Sequence, residues 1–147
     1  MNPTTGYIAM MLAAGVGIPI LAAFSASLGH HIGNPFATGV VVFGFALLIA
    51  IAAAFITGPA ALTRLGEAPR YLLFAGAFVA FYVLSITYVA PRFGVGNAVF
   101  FVLLGQLISA ALIDQFGLFG ARLSPISLTR AAGIGLMAIG VWLTQKT

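Results

Sequence analysis

The chain has 147 residues, of which 62% are hydrophobic and only 5% are charged, and its mean hydropathy is +1.17. A soluble domain has roughly 25% charged residues, so the two acids and six bases of this chain could not cover a surface that faces water. The net charge of +4 is scattered along the chain instead of forming a basic stripe, so we expect no nucleic-acid partner. The composition therefore predicts a protein whose solvent and principal contact is membrane lipid.

Five apolar segments meet or approach the ~20 residues that a helix needs to cross a bilayer. The predicted helices cover residues 5–28, 36–57, 69–90, 95–116 and 127–144. Gly and Pro residues punctuate the stretches between them, as is typical of turns. A membrane β-barrel would instead show alternating segments of about 10 residues. We predict an all-α integral membrane protein, a bundle of five transmembrane helices that forms a single domain over residues 1–147.

The positive charges give a weak prediction of orientation, because Lys and Arg favour the cytoplasmic side of a membrane. The connections after helices 2 and 4 contain Arg64, Arg70, Arg122 and Arg130. The opposite side contains Arg92 and Lys146. From this imbalance we predict an N-terminus outside the cell. The margin is small, so the sequence also permits dual topology, in which copies insert both ways round.

Helix 1 contains a proline with two glycines just before it. Pro19 cannot donate a backbone hydrogen bond, and its ring presses on the carbonyl of Gly15. Together with Gly17, this arrangement predicts a kink with freed carbonyl groups near the middle of the membrane. Broken helices at this depth line substrate sites in transporters, so the three residues form either a flexing element or an ordinary proline kink.

Helix 3 has an aromatic and hydroxyl face. Phe78, Tyr82, Ser85 and Val89 follow one another at helical spacing, and Tyr88 lies beside them. Such a wall suits an organic substrate with apolar and cationic parts. The alternative is an aromatic face that only packs against other helices.

Helix 4 holds the polar side chains Asn97, Gln106 and Ser109. An amide left bare in hydrocarbon is costly, so Gln106, near the middle of the helix, needs a partner. It lines a cavity or forms a hydrogen bond between helices. Asp114 is the only acid within a predicted span. It could couple transport to protons, but a salt bridge to Arg122 or Arg130, or solvation, fits its place near the helix end better.

Small residues predict the surfaces through which helices pack, since they let backbones approach closely in lipid. These are Ala75, Gly76, Ala77 and Ala80 in helix 3 and Ala131, Gly133, Gly135, Ala138 and Gly140 in helix 5. Motifs of catalysis or of nucleotide and metal binding are absent, and the adjacent His30 and His31 cannot share one helix face. We therefore expect no enzyme activity, no cofactor and no metal site.

The pattern resembles the short five-helix branch of the drug/metabolite transporter superfamily, the YdcZ-like family. The resemblance rests on these stretches: Gly17-Ile18-Pro19, Leu28-Gly29, Gly33 to Ala37, Gly44, Gly105-Gln106-Leu107, Asp114 to Gly120, Pro125, Leu128, Arg130, Gly133 and Gly140. Family members often have Asn where Ser25 stands. If that position touches substrate, the specificity of this protein is expected to differ.

The resemblance implies a half-sized transporter in a bacterial inner membrane. Larger relatives hold two inverted five-helix halves in one ten-helix chain, so a lone half needs an antiparallel partner. That partner is either a second copy of the same chain or a paralogue. The smaller four-helix multidrug relatives use a Glu in their first helix, and this chain has no acid there.

The leading functional hypothesis is a secondary transporter, an exporter of a small metabolite or organic compound. Its cavity residues would be Gln106, Tyr82, Ser85, Ser25, Asn97, Ser109 and Tyr88. Two alternatives remain open: a membrane scaffold or accessory subunit that transports nothing, and a protein that moves lipids between leaflets.

Overall fold

The computed structural model describes residues 3–146, and within them the chain is predominantly helical, with no strand. The five α-helices are α1 Pro3–Ile32, α2 Pro35–Thr57, α3 Ala75–Phe93, α4 Val95–Phe116 and α5 Leu128–Thr144. Three 3₁₀ segments accompany them, at Pro59–Glu67, Arg70–Phe74 and Leu118–Gly120. The predicted all-α membrane fold is confirmed.

Four of the helical segments are long and apolar enough to cross a membrane. They are Thr4–Ile32, Pro35–Thr57, Arg70–Phe93 and Val95–Phe116. The fifth, α5, has 17 residues. At a rise of 1.5 Å per residue it reaches about 25 Å, which is the lower limit for a spanning helix. The described residues therefore contain four full-length candidate spans and one shorter apolar helix.

The interior of the protein contains few large apolar side chains. Within the described residues, the buried apolar side chains belong to Ala22, Val83, Ile86, Ala90, Ala98 and Ala111. Large side chains point outward instead, with Ile56 86% and Leu128 88% exposed. A fold that excludes its bulky apolar residues from the interior is built for lipid, where small residues let helices pack closely.

Helix boundaries follow local chemistry, and those of α1 and α3 differ most from the prediction. The helix α1 runs from Pro3 to Ile32, beyond the predicted range 5–28. The segment after Pro69 begins with a 3₁₀ turn, so that the α-helix starts at Ala75 and not at residue 69. At its other end α3 continues through Pro91 to Phe93, past the predicted end at residue 90. Gly94 ends the helix, because its φ of 90° lies outside the helical range. Pro91 does not end it, because its fixed φ is compatible with a helix.

Two helices have side-chain caps at their N-termini. The Oδ1 atom of Asn34 accepts hydrogen bonds from the backbone N–H groups of Phe36 at 2.9 Å and Ala37 at 3.1 Å, where α2 begins. Ser127 Oγ accepts one from the Arg130 N–H at 3.1 Å, at the start of α5. These bonds satisfy donors that have no partner within the helix.

The chain divides into two compact units, residues 1–92 and 93–147. The first, here called the N-terminal unit, contains α1, α2 and α3 up to Arg92. The second, the C-terminal unit, contains α4 and α5.

The small-residue surfaces predicted on helices 3 and 5 are not buried in the structure. Ala80 and Ala138 are half-buried, and the other predicted residues, among them Ala75, Ala131 and Gly135, are exposed. Close packing uses other small residues: Gly29 and Gly39 are both buried. A Cβ atom added at Gly29 would lie 3.4 Å from Thr38 Oγ1 and 3.5 Å from Thr87 Cγ2. Small residues therefore do lie between helices, as predicted, but which of them do so depends on the fold.

The order of the spans changes what the charges predict about orientation. Arg64 and Arg70 follow α2, so two crossings separate them from the N-terminus and both lie on its side of the membrane. Arg92, near the end of α3, lies on the other side. Since Arg favours the cytoplasm, the charge bias of the N-terminal unit favours an N-terminus inside the cell. The expectation of an external N-terminus does not follow from the charges, because it counted these arginines as lying opposite to the N-terminus.

Candidate functional site

Three helices of the N-terminal unit meet at a junction of small and polar side chains. Ser25 of α1, Thr38 of α2 and Thr87 of α3 are each no more than 1% exposed. Thr38 Oγ1 donates to the Asn34 carbonyl at 3.1 Å, and Thr87 Oγ1 donates to the Val83 carbonyl at 2.7 Å. These bonds to the preceding helical turn satisfy both threonines. Neither threonine is among the residues predicted from the sequence, and a threonine among apolar residues in a span is the signal that could have revealed them.

Ser25 differs from the two threonines, because its buried hydroxyl has no hydrogen-bond partner within the described residues. It forms part of a groove of about 530 Å³ between α1 and α2. The other lining residues are Gly17, Ile20, Leu21, Phe24, Leu28, Val41, Val42, Phe45, Ala46 and Ile49. Ser25 therefore provides the one side-chain hydroxyl among these otherwise apolar lining residues.

The predicted flexing element adjoins this groove. The helix α1 is continuous from Pro3 to Ile32, with Pro19 inside it. Gly17 lines the groove, and a Cβ atom at Gly15 or Gly17 would meet no atom within 4 Å. Pro19 leaves the Gly15 carbonyl without its usual helical donor, so this turn of α1 is held by fewer bonds than its neighbours.

The aromatic face predicted on helix 3 is partly buried and partly exposed. The hydroxyl of Tyr82 is buried and has no partner within residues 3–146, and Ser85 is half-buried. Phe78 is 76% exposed, Val89 36% and Tyr88 44%. Helical spacing put these residues on one side of α3, but only Tyr82 and Ser85 have partly enclosed side chains.

Tyr88 takes part in a cluster at the end of α3 that was not predicted from the sequence. The guanidinium carbon of Arg92 lies 3.9 Å from the centre of the Tyr88 ring. That ring stacks on Phe36 of α2, with centroids 6.3 Å apart and planes inclined by 20°. The spacing of four between Tyr88 and Arg92 was the available signal, since it places them on one helix face.

In the C-terminal unit, Gln106 is exposed near the middle of α4, and its side chain makes no hydrogen bond within the described part of the chain. Ser109, one turn later, donates to the Gly105 carbonyl at 2.6 Å. Asn97 donates to the Phe93 carbonyl at 2.9 Å and accepts from Gln145 Nε2 at 3.0 Å.

The three polar residues of α4 therefore have different surroundings. The amide of Asn97 joins α4 to the end of α5, and Ser109 is satisfied by its own helix. The side chain of Gln106 is left with an unused donor and acceptor at bilayer depth.

Asp114, in the last turn of α4, takes part in the hydrogen bonds that tie the end of α4 to the start of α5. Its Oδ2 atom lies 2.7 Å from Arg130 NH2, and both side chains are 35% exposed. The backbone carbonyl of Asp114 accepts from the Ser124 N–H at 2.9 Å, and Gln115 Oε1 accepts from the Ile126 N–H. The expected salt bridge is present, with Arg130 and not Arg122 as the partner. These bonds hold the two helix ends together, a structural role.

The fold and these sites define a multi-pass helical membrane protein with uncharged polar groups at membrane depth. A family model described as "Putative inner membrane exporter, YdcZ" matches residues 6–143. The chain belongs to this family of inner-membrane exporters within the drug/metabolite transporter superfamily, as its resemblance predicted. Searches of curated proteins and of solved structures found no match.

Proposed function

We propose that this protein is a secondary transporter that exports a small, predominantly apolar organic compound as an antiparallel dimer. The observation that carries the proposal is the exposed side-chain amide of Gln106 on α4, which is without a partner in residues 3–146. Moving an amide from water into hydrocarbon without a hydrogen bond costs roughly 4–8 kcal/mol. Gln106 therefore needs a water-filled cavity, a substrate or a second subunit, and a dimeric transporter supplies all three.

The class of substrate follows from the groove in the N-terminal unit. No charged side chain is among its described lining residues, and its single hydroxyl, Ser25, has no partner among them. A cation in such a groove would have no counter-charge, and burying it would be costly. A neutral compound with an apolar body matches this lining, and the buried Ser25 hydroxyl would become available to it only if the groove opened. Movement at Pro19 and Gly17 would change the width of the groove, because Gly17 lines it.

The antiparallel dimer is supported by charge and by the exposed small residues. The charge bias that favours a cytoplasmic N-terminus is weak in the N-terminal unit, with Arg64 and Arg70 against Arg92. A chain with a weak bias can insert in both orientations. The exposed Ala131 and Gly135 of α5 offer a surface on which a helix of a second subunit can approach closely.

Transport by purified protein in liposomes tests the proposal directly. Gln106→Ala is expected to lower the rate of substrate movement at least about tenfold, which corresponds to the loss of one hydrogen bond of about 1.4 kcal/mol. Thr57→Ala is the matched control, since Thr57 is an exposed residue of α2 whose hydroxyl donates to the Ala53 carbonyl at 2.8 Å. Equal rates for the two variants would contradict the role of Gln106.

Two measurements separate this function from a scaffold or a lipid-moving protein. Single cysteines along α3 and α4 should react with a water-soluble reagent along one stripe that includes position 106 in a transporter, and nowhere at bilayer depth in a scaffold. A reporter fused to the C-terminus should give signal from both sides of the membrane if the chain forms an antiparallel homodimer. A single orientation would require a paralogue as the partner.

A further inference from the structure

A second, more polar pocket lies at one end of the N-terminal unit, where α1 and α3 end and α2 begins. It has a volume of about 380 Å³, and its lining includes His30, Gly33, Pro35, Thr87 and Arg92. This is where three membrane helices leave the hydrocarbon, so its depth is that of the lipid headgroups. The proposed transport groove shares none of its lining residues with this pocket.

Arg92 is held in position beside the pocket by two contacts. Its NH1 group donates to the Tyr88 carbonyl at 2.6 Å, and its guanidinium carbon lies 3.9 Å from the centre of the Tyr88 ring. Tyr88 in turn stacks on Phe36. Phe36 is 60% and Tyr88 44% exposed, so the cation stands at the end of an apolar platform that faces outward.

This cation has no acidic partner within reach among the described residues. The sequence contains two acids, and Asp114 is paired with Arg130 at 2.7 Å in the C-terminal unit. Glu67 ends the 3₁₀ segment that follows α2, a helix of 23 residues. At 1.5 Å per residue that helix is about 35 Å long, and Glu67 follows its C-terminal end whereas the pocket lies at its N-terminal end. Among the described residues, therefore, no acidic side chain is placed to neutralise Arg92.

We propose that this pocket binds the phosphodiester of an anionic phospholipid. Arg92 presents a planar fork of donors that matches the oxygens of a phosphate, and a ring nitrogen of His30 on α1 supplies a further donor. The carbonyl ends of α1 and α3 are partly negative, but Arg92 already bonds one of these carbonyls. Basic pockets between membrane helices are recognised sites for lipid headgroups.

A lipid fits the surroundings better than a soluble phosphate compound. The headgroup region is where phospholipid is concentrated, and the exposed rings of Phe36 and Tyr88 beside Arg92 offer an apolar surface that acyl chains can contact. The headgroup would thus sit in the pocket and one chain would lie along the platform. The site would add a bound lipid to each subunit without taking part in the transport groove.

Native mass spectrometry of the purified protein tests this site. The protein is released from detergent containing equal amounts of phosphatidylglycerol and phosphatidylcholine, and the bound lipids are counted. The unaltered protein should retain phosphatidylglycerol preferentially, and Arg92→Gln should lower that retention about tenfold, the effect of one charge-assisted hydrogen bond. The matched control is Arg64→Gln, an exposed arginine in the 3₁₀ segment beyond the far end of α2, which should leave retention unchanged.

Several results would overturn the proposal. Equal retention of the two lipids by the unaltered protein would do so, as would equal losses in Arg92→Gln and Arg64→Gln. Release of phosphatidylglycerol by millimolar glycerol phosphate would mark the pocket as a site for soluble anions. If Arg92→Gln loses its helical circular-dichroism signal, the unaltered protein is labelled with a photoreactive phosphatidylglycerol. Labelling at peptides that contain His30 and Tyr88 would then support the site, and labelling elsewhere would refute it.

Discussion

Gly39 lies where α2 comes close to α3 in the N-terminal unit, and it allows the sharpest test of the fold. A Cβ atom added there would overlap Leu84 Cδ2 and would lie 3.8 Å from Phe43 Cε2. Gly44, further along the same helix, is exposed, and a Cβ atom added to it would meet no atom within 4 Å. The two glycines therefore form a matched pair, one packed against a neighbouring helix and one facing lipid.

Gly39→Leu and Gly44→Leu gain the same helix propensity, about 0.8 kcal/mol relative to Gly. Only Gly39→Leu also inserts a bulky side chain into a filled space, which costs about 1–3 kcal/mol. The difference between the variants isolates that packing term. At about 3 °C for each kcal/mol in a chain of this size, Gly39→Leu should melt roughly 3–9 °C below Gly44→Leu.

The assay is thermal unfolding in detergent, followed by the loss of the monodisperse peak in size-exclusion chromatography. A second arm combines Gly39→Leu with Leu84→Ala, which removes the overlapping side chain. The double variant should recover part of the loss, because contacting residues are energetically coupled. If Gly39→Leu and Gly44→Leu melt at the same temperature, α2 and α3 do not approach each other at this point and the description of the junction fails.

Three further predictions concern the loop and the groove. Asp114→Asn should lower the free energy of unfolding by about 1–2 kcal/mol, because it removes a charge-assisted bond to Arg130 that solvent only partly screens. The transport rate should change less than about twofold. A transport rate that no longer responds to a proton gradient would instead make Asp114 the coupling residue. Gly117→Ala should lower the free energy of unfolding by about 1–2 kcal/mol, because the φ of 59° at this helix end disfavours a side chain. Its control is Gly133→Ala, which lies in open space within α5 and should not destabilise the protein in thermal unfolding. Ser25→Asn should change the ratio of transport rates for a larger and a smaller substrate about tenfold, because the added atoms narrow the groove, and an unchanged ratio would remove Ser25 from the substrate path.

The medium in which the protein folds could be read from its sequence. A chain with so few charges has only lipid as a compatible solvent, and the lengths of its apolar segments limit the number of helices that can cross it. The ends of α2 and α4 could be read because Asn34-Pro35, Gly58 and Gly117 act through local backbone geometry. The motifs around Gln106 and Asp114 were enough to predict the family.

The distribution of partners among the polar side chains was decided by tertiary structure alone. Asn97 and Gln106 were both predicted to line the cavity. Asn97 instead bonds to Gln145 across 48 positions, whereas the Gln106 side chain bonds to nothing in the described residues. Ser25 and Thr87 are equally buried, but only the threonine donates to a carbonyl, that of Val83. Periodicity fixes the direction of a side chain from its own helix. Which atoms of other helices it meets depends on how those helices pack, and hydrophobic patterning carries little of that information when lipid and protein interior are equally apolar.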